Sequence, residues 1–314
     1  MSPFTSRRAD TVLAHGELGL IALVRRWLGD TSPRTPFGIG DDCAVLPASS
    51  HAALVTTDPV IYGRHFDDTV PPRAVGAKLL KRNLSDIAAM GGRPVAAVLA
   101  LAMAGETRTA WLREFYLGLA ATARRHRVRI VGGDVTEAPA GFFGAFLTLH
   151  GEAAGPRFLT RTGARVGDAI FVTGRLGGSR AGHHYRFTPR LAEGAWLAGQ
   201  PEVVAMMDIS DGLAKDVQAL TPAGAVAAVR PGEIPVSAAA RAEARRSRRP
   251  AWVHALSDGE DYELLFAVRG DPATLTRRWQ RRFVAPLHRV GGFARRLAPG
   301  QVDWHSLHGF EHLH

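Results

Sequence analysis

Aspartates punctuate the turns of a chain that is otherwise basic. Asp41 and Asp42 follow Gly38-Ile39-Gly40, Asp58 closes LVTTD, Asp134 closes VRIVGGD, Asp208 closes VVAMMD, and Asp211 follows in ISDG. Any one of them alone reads as a helix cap. Four acids at predicted strand ends read as carboxylates projecting into the crevice where α/β sheets bind ligands. Such hard oxygen donors suit Mg²⁺, which takes a few carboxylates together with substrate phosphates. Asp86 stands in a largely apolar helical pattern, AVGAKLLKRNLSDIAAMGG, with Asn83 three residues earlier on the same face. If buried, it must pair or bind a metal, because an unpaired buried carboxylate costs several kcal/mol; the alternative is a solvated face with Lys78, Lys81 and Arg82.

Two glycine-rich turns suggest sites for anions. Gly132-Gly133 before Asp134 permits close backbone approach to a ligand, and the loop from Gly174 to Ser179 is positioned to present N–H groups to an anion. No Gly-Lys pair occurs, so there is no P-loop, and no HRD and DFG set of a protein kinase. Phosphoryl transfer here would use metal ions and arginines. Ser210 lies in DISDG and not in a GxSxG elbow, Cys43 reads as a small buried residue, and the histidines at 305, 308, 312 and 314 as a polar terminal segment. His65, in GRHF, follows Asp58 closely enough to share its crevice or to stand apart from it.

Strand-like runs span Ala53–Thr57, Pro94–Met103, Val128–Val131, Phe142–Gly151, Ala169–Thr173, Ala225–Val229 and Tyr262–Val268. They alternate with helical patterns near Arg73–Met90, Thr109–His126, Asp211–Leu220, Ser237–Arg246 and Pro272–Arg282. This alternation predicts a mixed α/β architecture. At 314 residues two domains are expected, 1–152 and 153–314, divided in the glycine- and proline-containing stretch from Glu152 to Asp168. The net charge of +10 comes mainly from scattered arginines, without a tail or an aromatic-interleaved basic stripe, so nucleic-acid binding is not expected. No stretch is long and apolar enough for a bilayer. One cysteine and no apolar signal core fit a cytoplasmic protein.

Taken together, the segments GELGLIALV, FGIGDDCAVL, TTD, GRHF, KRNLSDIAAMGG, VGGDVT, LTRTGARVGD, MDISDGLAKD, DGEDYELLF and GFEHL resemble, in order, the thiamine-monophosphate kinase family. That family belongs to a superfamily with aminoimidazole ribonucleotide synthetase, selenophosphate synthetase and the hydrogenase-maturation dehydratase. The resemblance implies two α/β domains, the N-terminal one carrying ATP and Mg²⁺ and dimerising through its sheet. It also implies direct transfer of the ATP γ-phosphoryl group to thiamine monophosphate. By motif position, Asp42, Thr57, Asp58, Asp86, Asp134, Asp208 and Asp211 would bind several Mg²⁺ ions, with Asp42, Asp86, Asp134 and Asp211 central to catalysis. Gly133, Asp134, Arg161 and Ser210 would contact ATP, and His65, Glu260 and Phe310 would face the acceptor. Two departures stand out: Val135 where the family has threonine, and Asp258 where it has glycine. The rivals are a paralogue using another small acceptor and a non-catalytic basic anion- or nucleic-acid-binding protein.

Overall fold

The computed structural model describes residues 1–34, 37–39, 46, 48–304 and 307. Asp41, Asp42, Cys43, Phe310 and the histidines at 305, 308, 312 and 314 lie outside the described residues. The chain divides into two compact units, Met1–Ile87 with Arg93–Glu152, and Ala88–Gly92 with Ala153–His314. Residues Ala88–Gly92 group with the second unit because their backbone is held there: Leu159 N–H donates to Met90 O and Ala154 N–H to Gly91 O.

In the first unit, helix α1 (Gly16–Leu28) precedes β1 (Ala53–Ile61), α2 (Pro72–Ala89), β2 (Gly92–Ala104), α3 (Thr109–His126), β3 (Arg129–Ala138) and β4 (Phe143–Ala153). The strands form one sheet in the order β1-β4-β2-β3. β1 runs antiparallel to β4 with Thr57 opposite Thr148, and β2 runs parallel to β3 with Ala100 opposite Asp134. Strand alternation sorts the side chains of β1. Leu54 and Val60 are buried, and Thr56 and Asp58, in the same phase, engage α2; Val55 and Thr57 are exposed on the other face. That second face leaves Val55, Val98 and Phe146 uncovered.

Helices α2 and α3 pack backbone to backbone. A Cβ on Gly76 would lie 2.0 Å from Phe115 O, and one on Gly118 1.9 Å from Arg73 O. The paired glycines thus fix how closely α2, the carrier of Asp86, can approach its neighbour. Trp111, Phe115, Phe66 and Phe143 fill the space between helices and sheet with stacked and edge-on rings.

The second unit contains β5 (Ala169–Thr173), α4 (His183–Arg186), α5 (Leu191–Ala198), β6 (Val203–Asp208), α6 (Leu213–Leu220), β7 (Val226–Val229), α7 (Ala238–Ser247), α8 (Ala251–Ser257), β8 (Leu264–Val268), α9 (Pro272–Arg282) and β9 (Leu287–Ala294). Its sheet, ordered β6-β8-β5-β9-β7, pairs antiparallel throughout. β5 and β8 are buried at every residue, as their unbroken apolar runs require of strands covered on both faces. Ile170, Val172 and Leu265 join one core with Leu213 and Val217, while Phe171, Leu264 and Phe266 join another with Leu275 and Trp279.

This topology corrects the strand-end reasoning. Asp208 does end β6, but Asp58 and Asp134 sit within β1 and β3. β2 and β3 are parallel neighbours but β1 and β4 pair antiparallel, so the crevice rule for open parallel sheets does not explain these acids.

Candidate active site

Asp86 is half-buried beside a stripe of buried polar side chains, which argues against the solvated-face alternative. Lys78 and Asn83 are wholly buried and Arg82 nearly so. Their polar ends are placed by the backbone: Lys78 Nζ donates to His65 O at 2.8 Å, Arg82 Nη1 to Pro59 O at 2.8 Å, and Asn83 Nδ2 to Leu79 O at 2.9 Å. Arg82 also pairs with Asp58 at 3.1 Å, and the Thr56 hydroxyl donates to Asp86 Oδ2 at 2.5 Å. Thr56, Asp58 and Asp86 therefore form one oxygen-rich group between β1 and α2. Thr56 was not singled out by sequence; its i,i+2 spacing from Asp58 was the available signal. Thr57 lies on the opposite face, where it donates to Leu147 O and accepts from Thr148.

His65 stands in the turn after β1. Its Nδ1 accepts from Ile61 N–H at 3.1 Å, which fixes the proton of the neutral ring on Nε2. Asp134 is exposed, with Thr136 donating to it at 3.3 Å. It lies on β3, the sheet edge opposite β1, about 14 Å away at three strand spacings. A Cβ on Gly133 would meet Leu99 O at 2.1 Å, so the bare glycine is what lets β3 lie this close to β2.

In the second unit, Asp208, Ser210 and Asp211 occupy the end of β6 and the turn into α6. Asp216, which sequence reasoning missed, organises that turn: its Oδ2 accepts from Ser210 N–H at 2.9 Å and Asp211 N–H at 3.0 Å. Burial pushes the Asp216 carboxyl up to about 7, with the Asp208 and Asp211 carboxylates adding to the effect. Lys215 offsets part of this charge through a 2.9 Å pair with Asp211. Crowded carboxylates with hard oxygen donors are a chemical fit for a divalent cation. Among the described residues no three acidic, histidine or cysteine side chains already converge as a metal-holding group. Arg161 is exposed beside β6, where Thr160 O accepts from Met206 N–H.

Three main-chain bonds stitch this turn to the segment carrying Glu260: Glu260 N–H to Ser210 O, Tyr262 N–H to Ile209 O, and Ile209 N–H to Glu263 O. Glu260 and Tyr262 adopt left-handed backbone at φ 53° and 51°, a strained choice for side-chain-bearing residues. The neighbouring acids do structural work. Asp261 is wholly buried and accepts from Gly177 N–H at 2.6 Å, and burial drives its carboxyl well above the ordinary range. Asp258 accepts from Gly178 N–H at 2.8 Å and contacts His254 Nδ1 at 3.1 Å. The glycine loop from Gly174 to Ser179 therefore spends these two N–H groups on the protein's own carboxylates, contrary to the expected anion cradle. Asp258, the sequence departure, is likewise turned toward His254 and Gly178.

Residues 40–153 match the family described as AIR synthase related protein, N-terminal domain. The chain is 36% identical over 296 residues to thiamine-monophosphate kinase of Rhodopirellula baltica, covering 89% of this chain and 92% of that protein. It is similar to the solved thiamine-monophosphate kinase of Stenotrophomonas maltophilia (30% identity, 91% and 97% covered, TM-score 0.76). It is also similar to a structure of AaThiL complexed with AMPPCP and TMP (29% identity, 99% and 100% covered, TM-score 0.73).

Proposed function

The chain belongs to the thiamine-monophosphate kinase family, and from that premise we propose that it transfers the γ-phosphoryl group of ATP to thiamine monophosphate, giving thiamine diphosphate. The observation that carries the reading is full-length similarity to a protein solved with an ATP analogue and TMP. The described acids are of the right kind for it.

The ATP triphosphate and the acceptor's phosphate group repel each other, and Mg²⁺ held by this chain's acids would supply charge neutralisation between them. Asp58, Asp86, Asp134, Asp208 and Asp211 are the proposed holders of several Mg²⁺ ions; Thr56 joins the set through Asp86. Asp42 and Thr57 remain in the proposed set by motif position. Arg82 orients Asp58, and Asp216 orients the turn bearing Ser210 and Asp211. Ser210, Gly133 and Arg161 are proposed for the nucleotide. His65 offers its Nε2–H to the acceptor phosphate, and Glu260, together with Phe310, faces the cationic thiazolium. No strong general base is required, because the attacking phosphate oxygen is ionised at neutral pH. The rate then comes from positioning and charge stabilisation.

The uncovered apolar face bearing Val55, Val98 and Phe146 supports pairing with a second copy of the chain, as soluble proteins rarely leave such a surface bare. No helix among the described residues is long and apolar enough to cross a membrane. Since Asp258 is occupied by His254 and Gly178, it gives no support to a different acceptor.

Purified protein with ATP and Mg²⁺ tests the reading directly, with thiamine monophosphate and unphosphorylated thiamine offered separately. Thiamine diphosphate is expected from thiamine monophosphate, and no product from thiamine. ATP consumption that ignores thiamine monophosphate would refute it.

A further inference from the structure

Glu260 has two flanking side chains on different oxygens. Tyr262 donates its hydroxyl to Oε1 at 3.2 Å, and His184 Nδ1 lies 3.6 Å from Oε2. His184 comes from the short helix α4, which is fastened to the Glu260 segment without it. His183 Nε2 lies 3.1 Å from Asp261 O, and Phe187 stacks on Tyr262 with centroids 4.1 Å apart and planes at 19°. These two contacts dock α4. The His184 contact is looser and more open, with the His184 and Glu260 side chains 14% and 32% exposed. Tyr185 meets the imidazole edge-on at 4.9 Å, so the ring plane is buttressed.

A cation drawn to Oε2 of Glu260 would therefore arrive beside the His184 imidazole, whose Nδ1 lies 3.6 Å from that oxygen. Aromatic faces attract cations and flat heteroaromatic rings, and the carboxylate next to it supplies opposite charge. We propose that His184 is a specificity-determining residue, the flanking ring for the cationic heterocycle of the acceptor. This rests on the function proposed above, with Glu260 on the acceptor side. His184 is given no part in ATP binding or in the phosphoryl transfer itself.

Steady-state kinetics of His184→Ala, His184→Gln and His184→Phe test it, varying thiamine monophosphate and ATP in turn. Losing the ring in Ala or Gln is expected to raise KM for thiamine monophosphate about tenfold, with kcat and KM for ATP within about twofold of wild type. Phe keeps a flat ring, and its KM is expected within about threefold of wild type. Two ring-less variants keep the test decisive if one folds poorly. The proposal is overturned if the ring-less variants keep a normal KM for thiamine monophosphate. It is also overturned if kcat or KM for ATP moves as much, or if Phe is no better than Ala. A wild-type protein that makes no thiamine diphosphate sinks the functional reading; an active wild type with indifferent His184 variants sinks this inference alone.

Discussion

Asp216→Asn is expected to flatten the pH dependence of stability in the metal-free protein. In the folded chain burial, reinforced by Asp208 and Asp211, pushes the Asp216 carboxyl from 3.8 up to about 7. Between those pH values the folded chain holds a proton that the unfolded chain has released, so stability falls as pH rises. Moving an acid from 3.8 to about 7 amounts to roughly 4 kcal/mol, fully expressed above pH 7. Asparagine keeps a carbonyl oxygen for the Ser210 and Asp211 N–H groups but carries no charge. The variant should match wild type near pH 4 and exceed it by up to roughly 4 kcal/mol at pH 8. A residual slope from Asp261, whose carboxyl is raised in the same direction by burial, should persist in both proteins. Urea unfolding of chelator-treated protein at several pH values between 4 and 8 is the assay. Equal stability of variant and wild type at every pH would refute the reasoning.

Gly133→Ala should destabilise the first unit by about 1–3 kcal/mol, because its new Cβ meets the Leu99 carbonyl and not a movable side chain; urea unfolding measures it, and an unchanged midpoint would contradict it. Asp258→Gly removes the acceptor of Gly178 N–H and the partner of His254 Nδ1, so about 1–3 kcal/mol of stability should be lost. KM for thiamine monophosphate should stay within a few-fold of wild type, and a large rise would place Asp258 on the acceptor side.

Much of the fold was legible where local pattern decides it. Thr109–His126 and Ala169–Thr173 form the helix and strand that periodicity predicts. Legibility ended where tertiary contact overrides local pattern. Spacing leaves a solvated face with Lys78 and Arg82 open as an alternative, yet their stems are buried and their charged ends reach the carbonyls of His65 and Pro59, as long basic side chains can. Strand alternation separates Thr57 from Asp58 and joins Thr56 to it, but only a known strand phase and helix neighbour make that distinction usable. Asp134 looked equivalent to Asp58 by position after an apolar run; sheet order puts them on opposite edges. Asp216 carries no motif signal, and Asp258 stands out only as a departure from the family pattern; the backbone partners of both emerge only from the folded turns.

The central claim is that aspartates of the proposed set, Asp86 and Asp211 among them, hold Mg²⁺ for the phosphoryl transfer. The most direct measurement is thiamine diphosphate formation against Mg²⁺ concentration for wild type, Asp86→Asn and Asp211→Asn. Wild type should be silent in chelator and active with Mg²⁺, and each variant should lose at least about 100-fold in kcat while remaining folded, the scale on which misplaced phosphoryl groups lose rate. Near-normal turnover in either variant, or activity that ignores chelation, would contradict the account.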